Sequence, residues 1–396
     1  MTGTAVNRTI NYNLNAIQDH PGNAGGKIDA LTTKCKLFDI NLYLSIDFHF
    51  PAVYIMTVKS MLHAKTCFDR KQKETIYMKK TLAIALAVLV LLSFTACGGA
   101  AQKDGKYVIG ICQMNKHASL DQASEGFKDA VIAALGEENV EFMHQNAAGE
   151  YSNCGAIIDG FVAENVDLIL ANATVPLQAA VSATGDIPIL GTSVTDYAAA
   201  LNMSEWTGSV GGNVSGTTDL APLDQQAAVI AELFPDAENV GLLYCSGEPN
   251  SVYQIRLIQG YLTDMGYSCT QFAFADVNEL APVLQNACDN SDVIYIPTDN
   301  TCATYTENIA NVVLPAGVPV VTGDTSTCAA AGVATFSINY YDLGRATGEM
   351  AVQILTGEAD ISAMAVQPAG EAVKFYNPTN CELLGITVPE GYSAVE

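Results

Sequence analysis

Asp292-Val-Ile-Tyr-Ile-Pro-Thr-Asp-Asn300 is the stretch whose reading decides the fold. Val293 to Ile296 is a short apolar run of β-branched and aromatic residues bounded by polar ones, the pattern of a strand buried on both faces of a parallel sheet. Pro297 has no N–H to give a sheet ladder and closes the run. Three polar side chains, Thr298, Asp299 and Asn300, then arrive together. Open α/β sheets take ligands at the carboxyl ends of their strands, so a strand ending this way reads as half of a small-molecule site.

Outward from that strand, short apolar runs alternate with helical patterns from Lys106 onward, the signature of α/β units on parallel sheets. On the amino-terminal side, strands are expected at Tyr107–Cys112, Val140–His144, Leu168–Ala171 and Ile187–Leu190. Helices are expected at His117–Leu135, at Cys154–Asn165 and after Pro176, where proline suits a first helical turn. Gly208 to Asp219 is rich in Gly, Ser and Thr but lacks the G-x-G-x-x-G spacing and the strand–turn–helix context of a phosphate loop, so it reads as a flexible crossing. A second set follows. Its expected strands are Val240–Cys245, Thr270–Phe274, Val293–Ile296 and Val318–Thr322, with helices at Asp224–Leu233, Asn250–Met265, Val277–Ala287 and Tyr305–Val313. Ala334–Asn339 reads as a returning strand, and Asp342–Leu355 as a helix with Asp342 as its N-cap. Gly344 and Gly348 in that helix point to close packing on a neighbour. The result is an α/β chain of two lobes, each a parallel sheet flanked by helices, joined by crossing strands.

The front of the chain differs. Met78-Lys79-Lys80, the apolar run Thr81 to Ala96 and Cys97-Gly98-Gly99 carry the marks of a secretory signal peptide, too short in its apolar part to span a bilayer. Phe94-Thr95-Ala96-Cys97 resembles a lipobox, so Cys97 is the expected lipidation site. Residues 1–77 lack sustained periodicity and read as a leader outside the native protein, with translation starting at Met78. Charge divides at the same place: residues 1–96 hold 11 Lys+Arg and 6 Asp+Glu, whereas residues 97–396 hold 7 and 36. A surface so acidic cannot neutralise phosphates, which excludes nucleic acid as a partner. Eight cysteines follow Cys97; an even count in an exported chain permits disulfides, but Cys112 and Cys245 lie in apolar runs and read as small buried hydrophobes. His117 and His144 lack zinc-like spacing, and neither a metal nor a cofactor is expected. G-x-S-x-G and H-E-x-x-H are absent, so no enzyme is expected.

Several phrases together carry a family resemblance: Gly126-Phe-Lys-Asp129, Gly212-Asn-Val-Ser-Gly216, Asn250-Ser-Val252, Pro297-Thr-Asp-Asn300 and Tyr340-Tyr-Asp-Leu-Gly-Arg-Ala-Thr-Gly-Glu-Met-Ala351. From about Tyr107 to Pro389 the chain resembles the type I solute-binding lipoproteins of ABC importers, specifically those of tryptophan and tyrosine uptake. It departs from many relatives at Met114-Asn-Lys-His117 and at Gly247-Glu-Pro249. The resemblance implies a two-lobed type I periplasmic-binding-protein fold that closes on a small ligand, an aromatic amino acid favoured, and delivers it to an ABC permease and its ATPase. It implies an exported protein held on the outer face of the cell membrane by its lipid. Two alternatives stay open: a binder of another amino acid, a sugar or a nucleoside, and an exported sensor subunit using the same cleft. The expected division is a leader at 1–77, signal peptide at 78–96, linker at 97–104, an N-terminal lobe of 105–216 and 336–358, and a C-terminal lobe of 217–335 and 359–396. Hinges are expected near Thr217–Asp219, Thr335–Ser337 and Glu358–Ile361.

An amino acid brings an ammonium, a carboxylate and a side chain. For the ammonium the candidates are Asp299 and Asp324, each at a strand end, with helix capping as the alternative role for both. For the carboxylate, cations are scarce, so hydroxyls, amides and helix-start N–H groups are expected. His117, Asn172, Thr174, Thr192, Ser193 and Thr195 offer these on the first lobe; Asn250, Ser251, Thr298 and Asn300 offer them on the second. Each is alternatively a turn or cap residue. Tyr340 is the favoured wall for an aromatic side chain.

Overall fold

Two sheets, one per lobe, meet with their strand ends facing each other in the computed structural model, which describes residues 105–368 and 370–395. The 1–77 leader, the 78–96 signal peptide, Cys97 and the 97–104 linker lie outside the described residues. No helix among the described residues is long and apolar enough to cross a membrane.

In the first lobe β1 (Tyr107–Gln113), β2 (Val140–Asn146), β3 (Leu168–Asn172), β4 (Ile189–Val194) and β5 (Val214–Thr218) form a sheet in the order β2-β1-β3-β4-β5. Every pairing in it is parallel. Its helices are α1 (Ala118–Leu135), α2 (Tyr151–Glu164), α3 (Thr174–Ala183) and the short α4 (Tyr197–Ala200). Parallel strands need such crossovers, and the helices cover both faces, which is why β3 and β4 are buried at every position.

The second lobe begins with α5 (Leu223–Leu233) and contains β6 (Asn239–Cys245), α6 (Pro249–Asp264), β7 (Ser268–Phe274), α7 (Val277–Asn290) and β8 (Val293–Ile296). It continues through α8 (Asn300–Thr304), α9 (Thr306–Ala316), β9 (Val320–Thr322), α10 (Thr325–Ala330) and β10 (Ala334–Ser337). The chain then returns to the first lobe as α11 (Tyr340–Leu355) and ends on the second with β11 (Val373–Tyr376), α12 (Pro378–Leu384) and β12 (Ser393–Ala394). The second sheet runs β12-β11-β10-β9-β8-β6-β7, parallel except where β10 meets β11. The opening strand, β8, lies in its middle with all four residues buried.

Three expectations are corrected. The Gly-rich run after Gly208 is not a loose crossing, because Val214–Thr218 completes the first sheet as its edge strand β5. Gly216 is required there: at φ 146° a Cβ would fall on the Gly191 carbonyl oxygen and the Tyr197 hydroxyl. The strand expected at Ile187–Leu190 begins after Pro188 and extends through Gly191-Thr192-Ser193 to Val194, so those residues belong to β4 rather than to the turn beyond it. The cap of α11 is Asn339, whose side chain accepts from the Asp342 N–H; Asp342 sits in the first turn.

Segment boundaries also move. Thr217 and Thr218 stay with the first sheet, while Phe336 and Ser337 pair with β11 in the second. After α11 the chain remains on the first lobe past Glu358–Ile361. Ile361 joins its core, the Ser215 hydroxyl donates to the Met364 carbonyl at 3.2 Å, and Gln367 N–H donates to Gly216 O at 2.9 Å. The third crossing therefore follows Gln367.

Helix α11 docks on α1 almost backbone to backbone. A Cβ on Gly344 would lie 2.0 Å from the Ala123 carbonyl oxygen, and one on Gly126 would lie 2.0 Å from that of Tyr341. Alanine is the better helix former by about 1 kcal/mol, but a methyl group that pushes two backbones apart costs ~1–3 kcal/mol or more. Gly344→Ala is therefore expected to destabilise, lowering the urea midpoint. A midpoint equal to that of the unmodified chain would sink the close-contact account.

Candidate functional site

The carboxyl ends of β1, β4, β8 and β9, the start of α6 and two of the crossings surround one tight cleft between the lobes, with about 20 Å³ of free space. That is room for about one water, well below the roughly 300–1,000 Å³ of small-molecule pockets, so the lobes must part to admit a ligand. On the first-lobe side its walls include His117, Ser119, Leu120, Ser193 and Thr195; on the second, Asn250, Thr298, Asp299, Asn300 and Asp324. Asp219 and Tyr340 close it at the crossings.

The lobes touch across this cleft. Asn115 Nδ2 donates to Thr304 Oγ1 at 2.8 Å and to Asn300 O at 3.3 Å. Ser119 Oγ donates to Asp324 Oδ1 at 3.3 Å, and His117 Nε2 stands 3.3 Å from Asn300 Oδ1. The orientation of Asn300 follows from Glu248, whose Oε2 accepts from both Asn300 N and Asn300 Nδ2, at 2.9 and 2.8 Å. With its amide nitrogen turned to a carboxylate, Asn300 presents its oxygen to His117, so His117 must donate from Nε2. Its Nδ1 is then an acceptor, and it has no partner. Burial holds the imidazole pKa below its ordinary value despite the pull of Asp324, which keeps the ring neutral near pH 7.

Asp299 and Asp324 are N-caps. Asp299 Oδ1 accepts from Cys302 N at 2.8 Å, opening α8, and Oδ2 accepts from Cys245 N at 2.7 Å. Burial and then the neighbouring Glu248 charge push its pKa up to about 7, against the pull of those N–H groups. Asp324 Oδ1 accepts from Thr327 N at 2.9 Å and from the Ser326 hydroxyl, and Oδ2 accepts from the Thr327 hydroxyl at 2.8 Å. The capping alternative matches these bonds, and every oxygen of the two carboxylates has at least one partner.

Asp219 is the carboxylate with capacity. It is 4% exposed; Oδ2 accepts from the Tyr340 hydroxyl at 3.0 Å, and Oδ1 has no partner. Burial pushes its pKa up to about 6, while the Tyr340 and Thr195 hydroxyls pull the other way. Two further orphaned atoms line the same walls. Asn250 turns its amide nitrogen to Thr298 O at 3.0 Å and leaves Oδ1 free, and Ser193 Oγ lacks a partner. Ser193 occupies a bulge in β4, where the pairing with β5 slips between Gly191 and Val194, and it has φ 54°. Bulges re-aim side chains, and a left-handed serine is strain of the kind held at sites.

Nine of the sequence candidates thus line the cleft: His117, Ser193, Thr195, Asn250, Thr298, Asp299, Asn300, Asp324 and Tyr340. The structure puts four elsewhere. Asn172 is fully buried and donates to Leu120 O and Ser124 Oγ, tying β3 to α1. Thr192 joins Thr217 and Thr347 in a buried hydroxyl cluster between β4, β5 and α11. Ser251 is fully buried and receives a bond from Asn250 Nδ2 at 3.3 Å. Thr174 faces a separate small pocket shared with Asp196 and Tyr253. Asp219, Ser119 and Leu120 escape the sequence reading, as does the supporting Glu248. An acidic residue closing the hydroxyl-rich run Thr217-Thr218 at a lobe crossing is the signal that points to Asp219. Arg345 pairs with exposed Glu349, and Arg256 lies over the Tyr253 ring 5.5 Å away; neither lines the cleft.

All eight cysteines after Cys97 are free thiols, seven of them buried. No cluster of His, Cys, Asp or Glu suited to a metal occurs among the described residues.

With this geometry in hand, comparison with known proteins is informative. The family described as ABC transporter substrate binding protein matches residues 108–395. A tyrosine-binding protein of Clostridioides difficile is 30% identical over 302 residues, covering 72% of this chain and 86% of its own. Among solved structures, an ABC domain from Streptococcus pneumonia in complex with L-Trp is 31% identical, with a TM-score of 0.69 over 72% of this chain and 97% of that one. A ligand-free, open substrate binding protein with adhesive properties from Clostridium difficile is also 31% identical, with a TM-score of 0.58 over 73% and 99%.

Proposed function

Since the chain belongs to the ABC transporter substrate binding protein family, whose members bind solutes rather than transform them, we propose that it binds an α-amino acid, an aromatic one by preference, between its lobes. One observation carries the ammonium assignment. Asp219 Oδ1, His117 Nδ1 and Asn250 Oδ1 are three partnerless acceptor atoms on residues lining one cleft, and an ammonium has three N–H donors. Leaving such atoms unpaired costs ~1–3 kcal/mol each, so a ligand that satisfies them gains more than its contacts alone.

The remaining groups suit the rest of the ligand. Ser193 and Thr195 offer hydroxyls to a carboxylate, and Leu120 and Tyr340 offer apolar surface to a side chain. Two relatives support the cargo, one a tyrosine-binding protein and the other in complex with L-Trp. The higher TM-score against the L-Trp complex than against the open, ligand-free protein fits lobes already drawn together. In this reading the chain is extracytoplasmic, anchored by lipid on Cys97, and hands its ligand to an ABC permease and its ATPase. Ligand binding and release would follow hinge movement at the three crossings.

A thermal-shift panel tests the cargo, because a ligand that binds only the folded form raises its melting temperature. L-tryptophan, L-tyrosine or L-phenylalanine is expected to raise it, and sugars and nucleosides are expected to leave it unchanged. A shift with a sugar or nucleoside and none with the three amino acids would overturn the assignment.

A further inference from the structure

A second chamber opens on the outer side of the cleft, at the β2 and β7 edges of the two sheets. It holds about 530 Å³ of space. Its walls come from both lobes: Met114, Lys116 and Tyr151 from the first, Asp276, Val277 and Tyr305 from the second. The bonds from Asn115 to Asn300 and Thr304, with Glu248 behind them, form a partition between it and the inner cleft. On the rim the Tyr151 hydroxyl donates across the lobes to the Gly247 carbonyl. Asn300 and Glu248 also build the amino-acid cleft; Met114, Lys116, Tyr151, Asp276, Val277 and Tyr305 do not line it.

The lining has a definite chemistry. Met114, Val277 and the rings of Tyr151 and Tyr305 provide an apolar body, with Tyr151 and Val277 exposed at 47% and 36% although they are large and hydrophobic. Three acidic residues, Glu150, Glu248 and Asp276, and one basic residue, Lys116, line the chamber. Both Glu248 oxygens are taken by the start of α8, and Asp276 Oδ1 caps α7 by accepting from Asn278 N at 2.8 Å, which leaves exposed Glu150 and Oδ2 of exposed Asp276 to meet a ligand. Aromatic faces beside carboxylates attract organic cations.

We propose that this chamber is a second binding site, for a monocationic amine with an apolar body, and that its occupant strengthens binding in the inner cleft. The coupling is geometric. Because both lobes build the chamber, an amine there contacts only the closed arrangement in full, and a ligand that prefers one state shifts the population toward it. Reciprocity then requires the inner ligand to tighten the amine by the same factor.

The amine site does not depend on what the inner cleft holds; only the coupling does, and the experiment separates them. Phenethylamine is titrated calorimetrically into the full chain, into Asp219→Asn and into Tyr305→Ala, with 3-phenylpropionate as the anionic control. Saturable one-to-one binding at or below about 1 mM is expected, retained in Asp219→Asn and weakened about tenfold in Tyr305→Ala. Phenylpropionate is expected to give no heat. With phenethylamine saturating, L-tyrosine is expected to bind about fivefold or more tightly. No saturable amine binding, equal binding of the anion, or binding lost in Asp219→Asn and kept in Tyr305→Ala would each overturn the site. Amine binding that leaves L-tyrosine affinity unchanged would overturn the coupling. If L-tyrosine itself gives no heat, the cargo assignment fails while the amine titration still decides the outer chamber.

Discussion

Asp219→Asn is expected to abolish amino-acid binding while making the ligand-free protein more stable at neutral pH. The two effects have opposite signs for one reason. In the free protein Asp219 is buried, Oδ1 has no donor, and its pKa is pushed up from an ordinary 3.8 to about 6. A carboxyl whose folded pKa is raised contributes stability that is fully present below about 3.8 and is lost as pH rises through about 6; above that the ionised group strains the fold by an amount on the order of 3 kcal/mol. Asparagine never ionises, so the variant keeps that stability at pH 7. Binding runs the other way. A ligand ammonium turns the uncompensated charge into a buried ion pair, and deleting one partner of such a pair costs ~2–5 kcal/mol. Protons compete for the same oxygen, so the affinity of the unmodified chain is expected to weaken as pH falls below about 6. Thermal unfolding at several pH values, with and without L-tyrosine, reads both effects. A variant that binds L-tyrosine as well as the unmodified chain would return the ammonium to another acceptor.

Glu248→Ala is expected to cost ~3–5 kcal/mol of stability and to weaken ligand binding with it. The side chain is 3% exposed and gathers five donors. Oε1 accepts from Thr301 N and Oγ1 at 2.8 and 2.7 Å, and Oε2 accepts from Asn300 N, Asn300 Nδ2 and Asn250 Nδ2 at 2.9, 2.8 and 3.2 Å. Truncation leaves those donors without their carboxylate and frees Asn300 and Asn250, which face the cleft. One term opposes the loss: removing the Glu248 charge relieves Asp299, whose pKa that charge raises. Asp299 contributes stability that disappears as pH rises through about 7, so in the variant this loss is expected to move to lower pH. Urea unfolding across pH measures both. An unchanged midpoint would mean that the five bonds contribute nothing net. Glutamine is not a rescue, since its amide nitrogen would face donors with a donor.

The outline of the site was legible because apolar runs mark buried strands, and strands mark where loops converge. Val293–Ile296 matches the observed β8, and Thr298, Asp299 and Asn300 do line the cleft. What each side chain spends its atoms on is not written in such a pattern. Asp299 and Asp324 sit where an ammonium acceptor belongs, yet their oxygens go to Cys302 N, Cys245 N, Thr327 N and nearby hydroxyls. Asp219 was obscured because Gly208–Asp219 reads as a loose crossing, whereas the close approach of Gly216 to Gly191 and Tyr197 makes its end a strand. Thr192 reads as a turn residue because the apolar run stops at Leu190, whereas β4 continues four residues further to Val194 and takes Thr192 into the core.

The contact between α1 and α11 also bears on how the molecule comes to exist. Gly126 and Gly344 meet across more than two hundred residues of chain, and the whole second-lobe sheet up to β10 is synthesised between them. Met350, Ala351 and Leu355 complete the same core as Ile109, Phe127 and Val131. The first lobe therefore cannot finish its interior as it emerges; that face of α1 stays bare until nearly the end of synthesis. Contacts so distant in sequence form slowly. Late assembly of this kind makes the inner wall of the cleft, which Tyr340 carries, among the last parts to take shape.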